Sequence, residues 1–277
     1  MKLNIICILI VICCCANVAL TQDTLLVNKK GIPILPAKGD WALGIDARPF
    51  TNIFNNESNV GFNFIRDNAL IGKKFIDDNL AHRAKLRIGF YSNSDDRYIM
   101  EDGQIIPEPS ITVTDTRTIN STNVSIGYGL ERRSGYGRVQ AVYGAELSFL
   151  YHAYSESFKY GNPYSMENPD PSTTNFGSNI PAEGKRVTYM EDGSAFGVAL
   201  QAFIGVEFFI AAKMSIGGEF GWGISYVNEG EGNTKISSWN AEDNTVRDEI
   251  YKTGGENYFD IDNTNFGGAI FFMFYFN

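Results

Sequence analysis

Beyond residue 15 this chain has no cysteine: its four, Cys7, Cys13, Cys14 and Cys15, all fall in the opening apolar stretch. Without that stretch no disulfide framework, thiol nucleophile or thiolate metal site can form. Histidine is almost as scarce, with only His82 and His152. HExxH, P-loop and dinucleotide-binding patterns are absent, which removes the common metalloprotease and nucleotide-dependent classes. Basic charge is also short, 23 Lys and Arg against 32 Asp and Glu, so nucleic acid has no electrostatic footprint to meet. After residue 21 no apolar run reaches 18 residues, so no segment reads as a membrane-spanning helix. A membrane form must then be a closed β-barrel.

What is present begins with an export signal. Lys2 gives a short positive region, Ile5 to Cys15 is apolar throughout, and the small residues of Ala16-Asn17-Val18-Ala19-Leu20-Thr21 follow. That order predicts a signal peptide over 1–21, cleaved between Thr21 and Gln22. The apolar run is about half the roughly 20 residues a bilayer anchor needs. Ile12 or another cysteine precedes each of Cys13, Cys14 and Cys15, which fits lipid attachment poorly. Removing 21 residues leaves 256, with 22 basic and 32 acidic side chains. Their 20 Phe, 14 Tyr and 28 Gly favour β-structure over helix.

Period-two alternation supplies the strands. Met214, Ile216, Gly218, Phe220, Trp222, Ile224 and Tyr226 share one face, and Ser215, Gly217, Glu219, Gly221, Gly223 and Ser225 the other. Phe196 to Ile210 alternates in the same way, and Ala211-Ala212-Lys213 is short enough to join the two as a hairpin. Asn68–Ile76 and Leu80–Tyr91 flank Asp77-Asp78-Asn79. Asn120–Glu131 and Val139–Tyr154 flank the turn-prone run Arg132 to Arg138. Asp40–Phe50 opens the set and Tyr258–Phe276 closes it. Only Asn68–Ile76 alternates too badly for its faces to be assigned.

The connections alternate, long then short. Thr51–Asp67, Ser94–Ile119, Ser155–Gly193 and Asn228–Asn257 are long, and the three between them are short. This order predicts an all-β, eight-stranded antiparallel up-and-down transmembrane β-barrel with short periplasmic turns and long extracellular loops. Residues 22–39 then form a short periplasmic N-terminal segment and 40–277 the barrel domain. A soluble barrel of lipocalin type is the rival. An eight-stranded interior only has room for side chains, which suits the face of glycines and charges. The aromatic face must then point outward, in numbers that water does not tolerate.

The chain resembles the Bacteroidetes-type outer-membrane β-barrel proteins, relatives of the small OmpA/OmpX-like barrels. Lys30-Gly31-Ile32-Pro33-Ile34-Leu35-Pro36, leading into Gly39 to Ala47, carries the likeness, with the hairpins Gly72 to Ala81 and Phe209 to Ser215. Ile270 to Phe276 resembles the C-terminal assembly signal of such proteins, with Phe272, Phe274 and Phe276 on one face; Asn277 departs from a terminal aromatic. The resemblance implies residence in the cell outer membrane, delivery by the barrel-assembly machinery, and lipid and lipopolysaccharide as surroundings. It says little of activity.

Candidate chemistry is sparse. His82 falls on the apolar face near the short-turn end. His152 lies on the inner face with Ser148 and Glu146 below it, a weak echo of a Ser–His–acid set. No catalytic residue, metal site or cofactor is expected. The inner face gathers Asp46, Arg48, Arg83, Lys85, Arg87, Glu131, Glu146, Glu207 and Glu219, five acids against four bases. Such near balance in a narrow interior predicts a lumen ion-pair network. The long loops carry about −12 of charge between them, read from the sequence, which serves solubility. Carboxylates such as Glu229, Glu231 and Glu191-Asp192 could hold a divalent cation. Tyr160, Tyr164, Phe176, Tyr189, Trp239 and Tyr251 suit a protein partner at these loops. The expected role is a non-enzymatic structural or adhesive surface protein, or an accessory subunit of a larger outer-membrane complex. A narrow channel or transporter is the alternative, and a membrane-embedded enzyme trails.

Overall fold

A computed structural model describes residues 26–46, 69–106, 108–182, 184–262 and 268–277. The signal segment 1–21 and Arg48 lie outside them. The described chain is all-β, with twelve antiparallel strands where eight were expected. They are β1 (Trp41–Asp46), β2 (Ala69–Asp77), β3 (Leu80–Met100), β4 (Thr112–Tyr136), β5 (Val139–Lys159) and β6 (Lys185–Glu191). Then come β7 (Ala195–Ala211), β8 (Met214–Glu229), β9 (Gly232–Asn240), β10 (Thr245–Thr253), β11 (Glu256–Asp262) and β12 (Gly268–Phe276).

Pairing runs β1–β2–β3–β4–β5–β7–β8 in sequence. β8 pairs β11 over its upper half and β12 over its lower half, and β12 pairs back to β1. The single closing strand expected over Tyr258–Phe276 is thus two. β6 continues the sheet from the top of β5, β9 pairs β6, and β10 pairs β9 as the outermost strand.

The extra strands occupy segments read as loops. Apolar alternation reveals a strand only when one face is buried in apolar surroundings. All nine residues of β10 are exposed, so it has no such pattern. β6 carries a register shift between Val187 and Tyr189 that interrupts its alternation. Ser94–Ile119 is also largely strand, because β3 and β4 stay paired as far as Met100 and Thr112 through residues polar on both faces. The turn expected over Arg132 to Arg138 shrinks to Gly137 and Arg138, with Gly137 at φ 64°.

Along the ring of pairings, large apolar side chains point outward. Glycine on the inner face makes room for its cross-strand neighbours: a Cβ at Gly217 would lie 2.3 Å from the Phe271 ring. At the short-turn end the inner face turns apolar, packing Ile34, Ala42, Ile71, Phe75, Phe209, Phe271, Met273 and Tyr275 together. Ile34 belongs to the N-terminal segment, which folds under the strand ends instead of trailing away. Its amide donates to Leu26 O at 2.8 Å, its carbonyl accepts from Lys213, and Asp40 pairs with Lys213.

Candidate functional site: a buried charge cluster beneath a projecting tier

The cluster is built by alternation on six strands. Lys73 comes from β2, Arg83 and Lys85 from β3, Glu131 and Arg133 from β4, Glu146 from β5, Glu207 from β7 and Glu219 from β8. Arg83, 1% exposed, is its centre. It donates to both Glu219 oxygens at 2.7 Å and to Glu131 at 3.3 Å. Its Nε lies 3.3 Å from Glu146 Oε2, a close ion pair without hydrogen-bond alignment. The guanidinium also sits 4.4 Å above the Phe203 ring. Lys73 Nζ reaches Glu131 at 2.5 Å and Glu207 at 3.8 Å, and Lys85 reaches Glu219 at 3.9 Å. Ser215 and Tyr275 hydroxyls donate to Glu207, and Ser148 donates to Glu146 at 3.2 Å. Arg133 lies against the rings of Phe75 (4.4 Å) and Phe209 (5.8 Å), and no hydrogen bond reaches its guanidinium nitrogens.

Six of the nine expected residues therefore meet here: Arg83, Lys85, Glu131, Glu146, Glu207 and Glu219. Arg87 lines a cavity of about 440 Å³ further along the strands, with Asn123, Ser125, His152 and Val227. The backbone of Asp46 pairs with Phe271, while its side chain and Arg48 lie outside the described residues. Two members were missed. Lys73 stands on the strand whose faces could not be assigned, where apolar residues occur on both sides. Arg133 was assigned to a turn that is strand. With them the described cluster holds four bases and four acids. The alternation Lys73–Phe75 read together with Glu131–Arg133 was the signal available.

His152 Nδ1 donates to Asn123 Oδ1, 2.7 Å away, while Ser148 turns to Glu146, so these three form no Ser–His relay. His82 pairs with the Tyr128 hydroxyl at 2.6 Å, its ring stacked on that tyrosine. Phe272, Phe274 and Phe276 lie in β12 opposite Ile45, Leu43 and Trp41 of β1, with Phe274 and Phe276 exposed.

Above the cluster, the upper halves of β3, β4 and β5 join β6, β9, β10 and residues 160–182 in a projecting tier. Phe158, Phe176 and Val187 form its small apolar core. Arg186 is stacked between Tyr160 (4.4 Å) and Tyr164 (4.1 Å) and donates to Asn162 O at 2.8 Å. Burial pushes the Tyr160 hydroxyl up to about 12. Buried Asp115 accepts from the amides of Gly161 (2.8 Å) and Thr174 (2.6 Å). Asp102 accepts from Asn168 at 2.8 Å and Ser172 N at 2.7 Å. Burial pushes the Asp102 carboxyl up, but these hydrogen bonds outweigh it and hold the group below its ordinary value of 3.8.

The aromatics expected at a partner interface divide. Phe176 is core and Tyr160 and Tyr164 clamp Arg186, leaving Tyr189 and Tyr251 exposed. Glu231 pairs with Lys252 at 2.8 Å, and Glu191 is held by Asn233 and Tyr189. Among the described residues no group of three or more His, Cys, Asp or Glu gathers as metal ligands. No protein-family model matches the chain, and no curated protein is significantly similar to it.

Proposed function

We propose that the chain is an outer-membrane β-barrel of Bacteroidetes type, its eight-membered wall formed by β1–β5, β7, β8 and the β11–β12 pair. It serves as a non-enzymatic surface protein, structural or adhesive, or as an accessory subunit of a larger outer-membrane complex. The carrying observation is polarity turned inside out. Leu43, Ile88, Phe149, Leu200, Phe220 and Trp222 are exposed on the outside of the strands, whereas four acids and three bases (Lys73, Arg83 and Arg133) are buried on the inside, with Lys85 half-buried beside them. Water does not favour that arrangement, and a lipid belt does. Strand length fits too. β4 has 25 residues, roughly 80 Å of extended chain, whereas a bilayer takes about 10 residues of each strand. The excess builds the tier, which meets partners outside the cell, with lipid and lipopolysaccharide around the wall.

The cluster and the apolar floor beneath it, closed by Ile34, fill the inner path. This favours a scaffold over a channel. The test is twofold. Membrane-fraction protein should migrate differently in SDS gels with and without boiling, since closed strand pairing survives detergent in the cold. Purified protein in planar bilayers should carry little or no steady current. Recovery as a soluble periplasmic protein would overturn the membrane reading, and large stable single-channel currents would promote transport.

A further inference from the structure

β10 is the outermost strand of the tier. Among the described residues it pairs only with β9, and all nine of its residues are exposed, with Ile250 at 68%. Its outer edge carries a row of backbone donors and acceptors, the arrangement that accepts another strand. Charged residues on an edge commonly discourage such pairing. Here their order has the opposite effect for one particular partner, a second copy of the same strand.

An antiparallel pair of identical strands related by a two-fold axis perpendicular to the sheet places residues of equal parity opposite one another, so the axis must pass through a residue. Centred on Asp248, the register sets Arg247 against Glu249 twice and Val246 against Ile250 twice, with Thr245 facing Tyr251. Only Asp248 then meets itself. Each Asp248 is already held by Lys235 Nζ at 2.7 Å and Ser237 Oγ at 2.6 Å. Centring on Glu249 sets that carboxylate against itself, Val246 against Lys252 and Ile250 against Asp248. Centring on Arg247 sets two guanidinium groups together and Val246 against Asp248. Centring on Ile250 also sets opposite charges together, Asp248 with Lys252, but leaves Val246 opposite Gly254. Opposite charges and apolar pairs across strands are favourable and like charges are not, so the Asp248 register is the one that joins opposite charges and gives both Val246 and Ile250 an apolar partner.

We propose that two copies of this chain associate through β10 in the register centred on Asp248, joining their projecting sheets into one. The pairing depends on the tier alone and can be read in detergent micelles or in buffer, so its outcome is separate from that of the membrane reading.

The chain from Gln22 onward has no cysteine, which makes single-cysteine variants clean probes. Asp248→Cys should give a disulfide-linked dimer under mild oxidation, because like residues on the axis lie within disulfide reach. Lys252→Cys, which would face Asn244, should stay monomeric on a non-reducing gel. Sedimentation adds a charge test. Arg247→Glu or Glu249→Arg alone should weaken dimerisation roughly tenfold, since each turns two opposite-charge pairs into like-charge pairs. Mixing these two variants should restore association, because every 247–249 pair across the mixed dimer again joins Glu to Arg. The double variant carrying both changes should also dimerise. A monomeric wild-type chain, equal cross-linking at Asp248→Cys and Lys252→Cys, or no recovery on mixing would each overturn the proposal.

Discussion

The wall of strands and the tier above it solve the same packing problem with opposite polarity. In the wall, Arg83 and its carboxylates are buried, while Phe220, Trp222 and Leu200 face out. In the tier, Phe158, Phe176 and Val187 are inside, and β10 presents charge and hydroxyl to its surroundings. One continuous strand can serve both. β5 buries Glu146 and Ser148 low down and Phe158 near its top. If the wall sits in lipid as proposed, the surroundings change along the strand, and each level buries whatever its surroundings reject.

The comparison breaks first at Arg83. Replacing it with Ala leaves Glu219, Glu131 and Glu146 buried around an apolar stub, and losing one partner of a buried ion pair costs about 3–5 kcal/mol. The boiling temperature at which the compact gel band is lost should fall sharply, while limited proteolysis of residues 160–182 should change little. If the tier loosens as much as the wall, the two are one cooperative unit and the contrast fails. Next comes the outer face. Phe220→Arg should cost roughly 2–4 kcal/mol in lipid, as charge does at mid-membrane depth. Tyr98→Arg, at an exposed aromatic on the tier away from β10, should stay within about 0.5 kcal/mol. Equal costs for the two in reconstituted bilayers would remove the reason to assign them different solvents.

Most of the wall was legible because alternating apolar residues mark any strand with one greasy face. Met214 to Tyr226 and Phe196 to Ile210 are paired as that pattern requires. Charge on the opposite face was legible as well: Glu131, Glu146 and Glu219 meet Arg83, and Glu207 joins them through Lys73. Lys73 was illegible because Leu70 and Ile76 on one side and Ile71 and Phe75 on the other blur the faces of β2. The tier was illegible for a deeper reason. Its strands are held by pairing and by single buried groups such as Asp115 and Asn179, whose polar side chains look like loop chemistry in one dimension. Nothing in Thr245–Thr253 distinguishes a solvated strand from a solvated loop.

Smaller effects sharpen the tier's side of the comparison. Buried Asn179 accepts from Phe176 N at 2.7 Å and donates to Thr174 O at 2.8 Å, holding the turn that seats Phe176 in the tier core. Asn179→Ala should cost about 1–3 kcal/mol, because it orphans a buried amide and carbonyl. The loss should appear as faster proteolysis between residues 160 and 182, with the heat-modified gel shift of the wall unchanged. A shift of both together would again tie the levels into one unit.

The smallest expected effect is one of pH, and it too should stay in the tier. Asp102 anchors Asn168 and Ser172 only as a carboxylate, because the protonated acid loses acceptor strength toward the amide groups that hold it. Its folded-state pKa lies below the ordinary 3.8. Folding therefore favours the deprotonated form, and the contribution is fully present above 3.8 and fades as pH falls through the folded value. Between neutral pH and pH 5 the protection of residues 160–182 from protease should be flat, and under acid it should drop. In Asp102→Asn the side chain keeps its shape and one acceptor oxygen but no charge, so protection at neutral pH should be modestly lower and this acid-dependent step should shrink. An undiminished acid step in Asp102→Asn would show that Asp102 is not its source.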